Sequence, residues 1–284
     1  MSIDVLQEKI RKTKNGSVLV LEVSRDLVPP AILEEADDLA HGYGKLCSLL
    51  LPALKGTVPA VRFGFGSFAV LGDSGIAVLR RLMDEAKLLG YYVLLDAPQA
   101  FSVQSAEHIA ATLEDWYFDG LVFSNYLGSD ILKAYLPLCA KGKSLFPVVR
   151  TANRSAPELQ DLLSGTRLVH TAAADIINRR GEAKVGRCGY SQVGILAAAS
   201  AADSLRSLRS KYPKLFLLLD GFDYPNANAK NCSYAFDKLG HGAAACAGAS
   251  IVGAWKESEL DPAAAAVEAA ERMKKNLNRY ITVL

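Results

Sequence analysis

Arginine and carboxylate side chains recur toward the ends of short apolar runs in this sequence. Arg62 and Asp96 lie in two successive runs, Asp220 lies in a later one, and Asp223 follows it. A guanidinium and carboxylates brought together can form a buried ion pair beneath a pocket or orient a polar small molecule. They make a poor proton relay, because arginine holds its proton to a pH above about 12. Glu22, Ser24, Ser124, Asn125, Arg150, Thr151 and Ser200 stand at comparable positions and add acceptors and hydroxyls. Histidine chemistry is disfavoured: His41, His108 and His170 fall in segments of helical spacing, and His241 precedes a run rather than ending one. A Ser-His-Asp triad is therefore not expected. The five cysteines are widely spaced with no C-x-x-C pair, so neither a disulfide framework nor a zinc site is expected, and no cofactor or metal motif is present.

The elements that must position these residues alternate in type. Eight runs have strand character: Ser17–Ser24, Ala60–Gly66, Tyr91–Ala97, Gly120–Asn125, Ser144–Thr151, Val193–Ser200, Leu215–Phe222 and Gly242–Ala247. Between them, Ile76, Leu79, Leu82, Ala86 and Leu89 follow one helical face, as do Ile131, Leu132, Tyr135 and Leu138. Ser105 is placed to cap one helix, and Pro157 suits the first position of another. Residues 262–280 read as an alanine-rich terminal helix. The expected architecture is an α/β protein, a single (β/α)8 TIM barrel over residues 1–284 with an amino-terminal and a carboxy-terminal helix. An open doubly wound sheet would show a glycine-rich turn after its first strand, and the turn after Ser24 is Arg-Asp-Leu-Val-Pro-Pro. In a barrel the chemistry lies at the carboxyl ends of the strands, where Arg62, Asp96, Asp220 and the loop 220–228 converge. Gly248-Ala249-Ser250, after the last strand, is where a barrel can present backbone amides to an anion.

Lysine plus arginine number 32 against 30 acids, a net charge of +2, which argues against a nucleic-acid surface. No run approaches the roughly 20 apolar residues of a membrane span, and the amino terminus lacks a leader-like apolar stretch, so a cytoplasmic protein without membrane or nucleic-acid partners is expected.

The motif order resembles that of the orotidine 5′-phosphate decarboxylase family, in its longer bacterial type. The residues that carry the resemblance are the opening Met1–Leu6 with Ile10, the Gly72/Gly75 pair, Leu94-Leu95-Asp96-Ala97, Tyr126-Leu127-Gly128-Ser129-Asp130 and Val149-Arg150-Thr151-Ala152-Asn153, followed by Glu158–Leu162. The resemblance implies a barrel that pairs across its strand ends, with Asp96 in the reaction centre. It also implies losses. Where the family carries D-x-K-x-x-D, this chain has Asp96-Ala97-Pro98-Gln99-Ala100-Phe101, so Pro98 replaces the protonating lysine and Phe101 the cross-subunit aspartate. Arg62 replaces the second-strand lysine, Ser24 the ribose-holding aspartate, and Ala249 the phosphate-binding arginine. Asp96 and Arg62 are thus the expected catalytic positions. Ser24, Ser124, Thr151, Asn153, Asp220, Asp223 and Gly248 are the expected substrate-binding positions, with no metal. A proline cannot protonate a carbanion, so the favoured expectation is a decarboxylase-like barrel without decarboxylase activity, in a binding or partner role. An enzyme of altered chemistry on another small metabolite comes second, and ordinary orotidylate decarboxylation third. The expected partners are a second copy of the chain, with Phe101 near the interface, or an authentic decarboxylase in a heterodimer.

Overall fold

The computed structural model describes residues 1–22, 24–181 and 184–283. Eight parallel strands, β1 (Ser17–Leu21), β2 (Ala60–Gly64), β3 (Tyr92–Asp96), β4 (Gly120–Ser124), β5 (Ser144–Val148), β6 (Ile195–Ala198), β7 (Leu217–Asp220) and β8 (Ala243–Ala247), follow one another around a closed barrel, β8 pairing back onto β1. Each expected run contains its strand. The runs overshoot, mostly at their carboxyl ends, because apolar residues beyond the last ladder bond still pack against the rim. Val23, within the first expected run, lies outside the described residues.

The barrel is plugged at its amino end and open at its carboxyl end. Tyr92, Phe146 and Phe216 fill the lower interior, with the Phe146 and Phe216 rings edge to face at 6.2 Å. Gly120 and Gly194 make room for them, since a Cβ at either would come within 2.9 Å of the Phe146 ring. Helix α1 (Ser2–Thr13) seals the same end: Ser2 Oγ donates to the Asp119 carbonyl at 2.8 Å, and Gln7 Oε1 accepts from Gly242 N at 3.0 Å. The polar strand ends are thereby left at the opposite, accessible rim.

Most helices form as their patterns require, but the face 131–138 is split between helices Ser129–Tyr135 and Pro137–Ala140, the terminal helix stops at Leu277, and two further departures stand out. The helix over Gly72–Leu89 buries Val78, Leu79, Leu82, Met83 and Ala86, and ends on Gly90 in a left-handed conformation at φ 91°. The helix over Pro262–Leu277 is capped by Asp261, buries Ala265, Ala266, Ala269 and Ala270, and packs in part against the helix Leu39–Ala53. The first departure is at Ser105. The N-cap is Ser102, and Ser105 is the returning member of a capping box, because the helix already begins at Val103. The second is a hairpin of Leu163–Ser164 with Arg167–Leu168, too short to leave a periodic signal. Among the described residues, no helix is long and apolar enough to cross a membrane.

Candidate functional site

Strand register brings the charged residues into one layer. Asp96 pairs with Gly64, two residues beyond Arg62, so both side chains point into the barrel with Asp96 one step nearer the rim. The arginine reaches up to it in a bidentate pair, Nε to Oδ1 at 2.7 Å and Nη2 to Oδ2 at 2.8 Å. Its Nη1 crosses the barrel to Asp220 Oδ1 at 2.5 Å, at the end of β7. Leu21 pairs with Phe63, which brings Glu22 level with Gly64. A Cβ on Gly64 would lie 2.7 Å from Glu22 Cγ, so the glycine gives this acid its place at the mouth.

One cation thus serves three carboxyl groups. Burial works against the Arg62 charge, but Asp96 and Asp220 more than offset it and hold the guanidinium well above its ordinary range. Burial pushes Asp96 up, opposed by Arg62 and assisted by Asp220, and the net direction is upward. Glu22 is raised for the same reasons, with burial first, Arg62 opposing, and Asp96 and Asp220 adding repulsion. Glu22 is the most accessible of the three acids. The neighbouring Cys246 thiol is pushed up to about 12 by burial and is no nucleophile at neutral pH.

A cavity of about 500 Å³ opens above this cluster. It is lined by Glu22, Ser24, Asp220, Asp223, Cys246 and Gly248, among others, so four expected binding positions meet there. All four are already engaged, Asp220 by Arg62. Ser24 Oγ donates to Asp26, itself bonded to Lys256 at 2.8 Å. Asp223 Oδ2 accepts from Gly248 N at 2.7 Å, so the chain's own carboxylate occupies the amide read as an anion contact. Ser124 and Thr151 line a second cavity, and Asn153, exposed and bonded to Ser155, lines neither. Arg150 turns aside into a bidentate pair with Asp161, which also lies 3.1 Å from the buried His170. Glu22 is the member whose part the sequence left undefined. Its position one residue past β1 is the signal that points to it. Among the described residues, no group of three or more His, Cys, Asp or Glu side chains is arranged to hold a metal ion.

No family model matches the chain. Among curated proteins, the orotidine 5′-phosphate decarboxylase of Rhodopirellula baltica is 27% identical over 237 residues, covering 80% of this chain and 78% of that protein. The enzyme of the same name from Clostridium novyi is 26% identical over 262 residues, 90% of each. Among solved structures, a protein of Toxoplasma gondii whose proposed identity is orotidine-monophosphate decarboxylase superposes with a TM-score of 0.83 at 18% identity, over 98% of both chains. The closed eight-stranded barrel is the fold of that structure, and the relatives in sequence carry one name across most of the chain's length. By these likenesses the chain is similar to orotidine 5′-phosphate decarboxylases over most of its length and shares the barrel fold of the Toxoplasma gondii structure.

Proposed function

We propose that the chain keeps the decarboxylase barrel without its reaction and acts as a binding or partner protein. The observation that carries this reading is the engagement of Arg62. Its guanidinium is held by Asp96 and Asp220, and none of the described residues lining the mouth cavity is a lysine. A developing carbanion needs an acid within hydrogen-bond reach whose proton is released near neutral pH, and an arginine clamped by two carboxylates is the opposite of that. Pro98, in the stretch where the resemblance implies the protonating lysine, supports the same reading. So does Asp223 on the Gly248 amide, since a carboxylate there competes with and repels a phosphate dianion.

Under this proposal the protein works in the cytoplasm as a homodimer or paired with an authentic decarboxylase. Phe101, 84% exposed in the loop that follows β3, supplies apolar surface for such a contact. A second reading, an enzyme acting on a different small metabolite, is favoured by one feature: the raised carboxyl of Glu22 at the cavity wall, a group suited to hold and return a proton.

The test is complementation of a strain lacking its decarboxylase. The proposal predicts no growth without added pyrimidine, from protein shown to be folded and abundant. Growth would return the chain to ordinary orotidylate decarboxylation.

A further inference from the structure

The cavity at the barrel mouth has small-molecule size and carries an unbalanced charge. Glu22, Asp26, Asp220 and Asp223 line it, and Asp96 lies beneath them. Two cations answer these five carboxyl groups: Arg62 is shared by Asp96 and Asp220, and Lys256 is taken by Asp26 at 2.8 Å. None of the described residues lining the cavity is a lysine, arginine or histidine. Among the described residues none donates a hydrogen bond to the Glu22 carboxyl, and repulsion from Asp96 and Asp220 adds to the burial that raises it. Asp223 is held by the Gly248 amide, a neutral donor that supplies no counter-charge. A concave chamber with low-dielectric walls focuses such a field instead of dispersing it into solvent. Leu27, Tyr224 and Pro225 add apolar surface to the wall, so the volume of about 500 Å³ combines acids with a hydrocarbon face, the composition of a ligand pocket.

Resting on the reading of a barrel that binds without decarboxylating, we infer that its mouth takes a small organic cation, an ammonium, amidinium or guanidinium group on a hydrocarbon body, with the charged head beside Glu22 and Asp220. The head supplies the counter-charge and the donors that the acids lack, and the body gains affinity by leaving water against Leu27 and Tyr224. An anion of the same shape meets like charge on every side and is rejected.

The experiment compares benzamidine, benzamide and benzoate, which share one ring and nearly one shape but carry a cationic, a neutral and an anionic head. Each is titrated into the full-length protein at low salt while the methyl resonances of Val20 and Leu27, on the cavity wall, are followed. Benzamidine should shift these methyls saturably and bind about 3- to 10-fold tighter than benzamide, with benzoate the weakest of the three. Glu22→Gln should remove most of the advantage of benzamidine while leaving benzamide binding unchanged, and added salt should do the same in the unaltered protein. Equal affinity of benzamidine and benzamide in the unaltered protein would overturn the inference. So would tighter binding of benzoate, the absence of saturable shifts with benzamidine, or shifts confined to Val148 and Ile176 in the second cavity. The comparison in the unaltered protein decides the matter even if the variant fails to fold. Complementation separates this inference from the reading beneath it: growth of the decarboxylase-deficient strain overturns the proposed function whatever benzamidine does, whereas no growth together with no preference for benzamidine overturns the cation site alone.

Discussion

Replacing Arg62 by methionine should destabilise the protein by an amount that depends on pH in a defined direction. The side chain is 8% exposed and makes three charge-assisted hydrogen bonds, two to Asp96 and one to Asp220. Removing one side of a buried ion pair costs about 3–5 kcal/mol. Here Asp96 and Asp220 keep 22% and 29% of their side-chain surface, so water recovers part of the loss and about 2–4 kcal/mol is expected at pH 7.5. Asp96 and Glu22 already titrate above their ordinary values in the folded protein, and Arg62 is the group that pulls both down. Without it both rise further. An acid whose folded pKa exceeds its unfolded one makes the folded state bind more protons, so stability is present at low pH and is lost as pH climbs from about 4 through the raised value. The methionine variant should therefore recover about 1–2 kcal/mol of its penalty when the pH is lowered from about 7.5 to about 5. Urea titrations followed by circular dichroism at the two pH values measure this directly. A penalty that is the same at both, or larger at the acid pH, would refute the picture of three acids sharing one cation.

Three further outcomes follow from the geometry. Gly75→Ala should cost about 2–4 kcal/mol in the same denaturation assay, because an added Cβ would lie 2.0 Å from the Phe68 carbonyl oxygen, backbone that cannot swing aside. Under the proposed homodimer, Phe101→Arg should shift sedimentation from dimer toward monomer without lowering the thermal midpoint, since the ring is exposed within one subunit; an unchanged sedimentation coefficient counts against an interface at that position. Asp223→Ala frees the Gly248 amide and removes a carboxylate from the mouth, so calorimetric binding of inorganic phosphate should strengthen by about 3- to 10-fold over the unaltered protein. No gain would mean that Asp223 does not exclude anions there.

The barrel is legible in the sequence because its strands are short apolar runs of even spacing and its helices carry a 3.6-residue stripe. Arg62, Asp96 and Asp220 are legible as a cluster for the same reason. They belong to strands, and once strand order is fixed the alternation of side chains fixes which way they point. Most of the rest of the site lies past the last ladder bond, where alternation no longer applies. Ser124 still pairs with Val148, but Thr151 lies three residues past β5, and both line the gap toward the helix Val169–Gly181. Asn153 turns into the solvent-exposed loop. The bond from Gly248 to Asp223 spans two separate loops, and nothing local in either segment announces it. Glu22 gains its place from Gly64 on the neighbouring strand, a contact visible only after the register is known.

The central proposal is that this barrel, similar to orotidine 5′-phosphate decarboxylases, does not carry out their reaction. Incubating the purified, folded protein with orotidine 5′-phosphate and following the loss of the orotate absorbance tests it most directly. No turnover above the uncatalysed background is expected, at any pH at which the fold is intact. Turnover that disappears in the Asp96→Ala variant would contradict it.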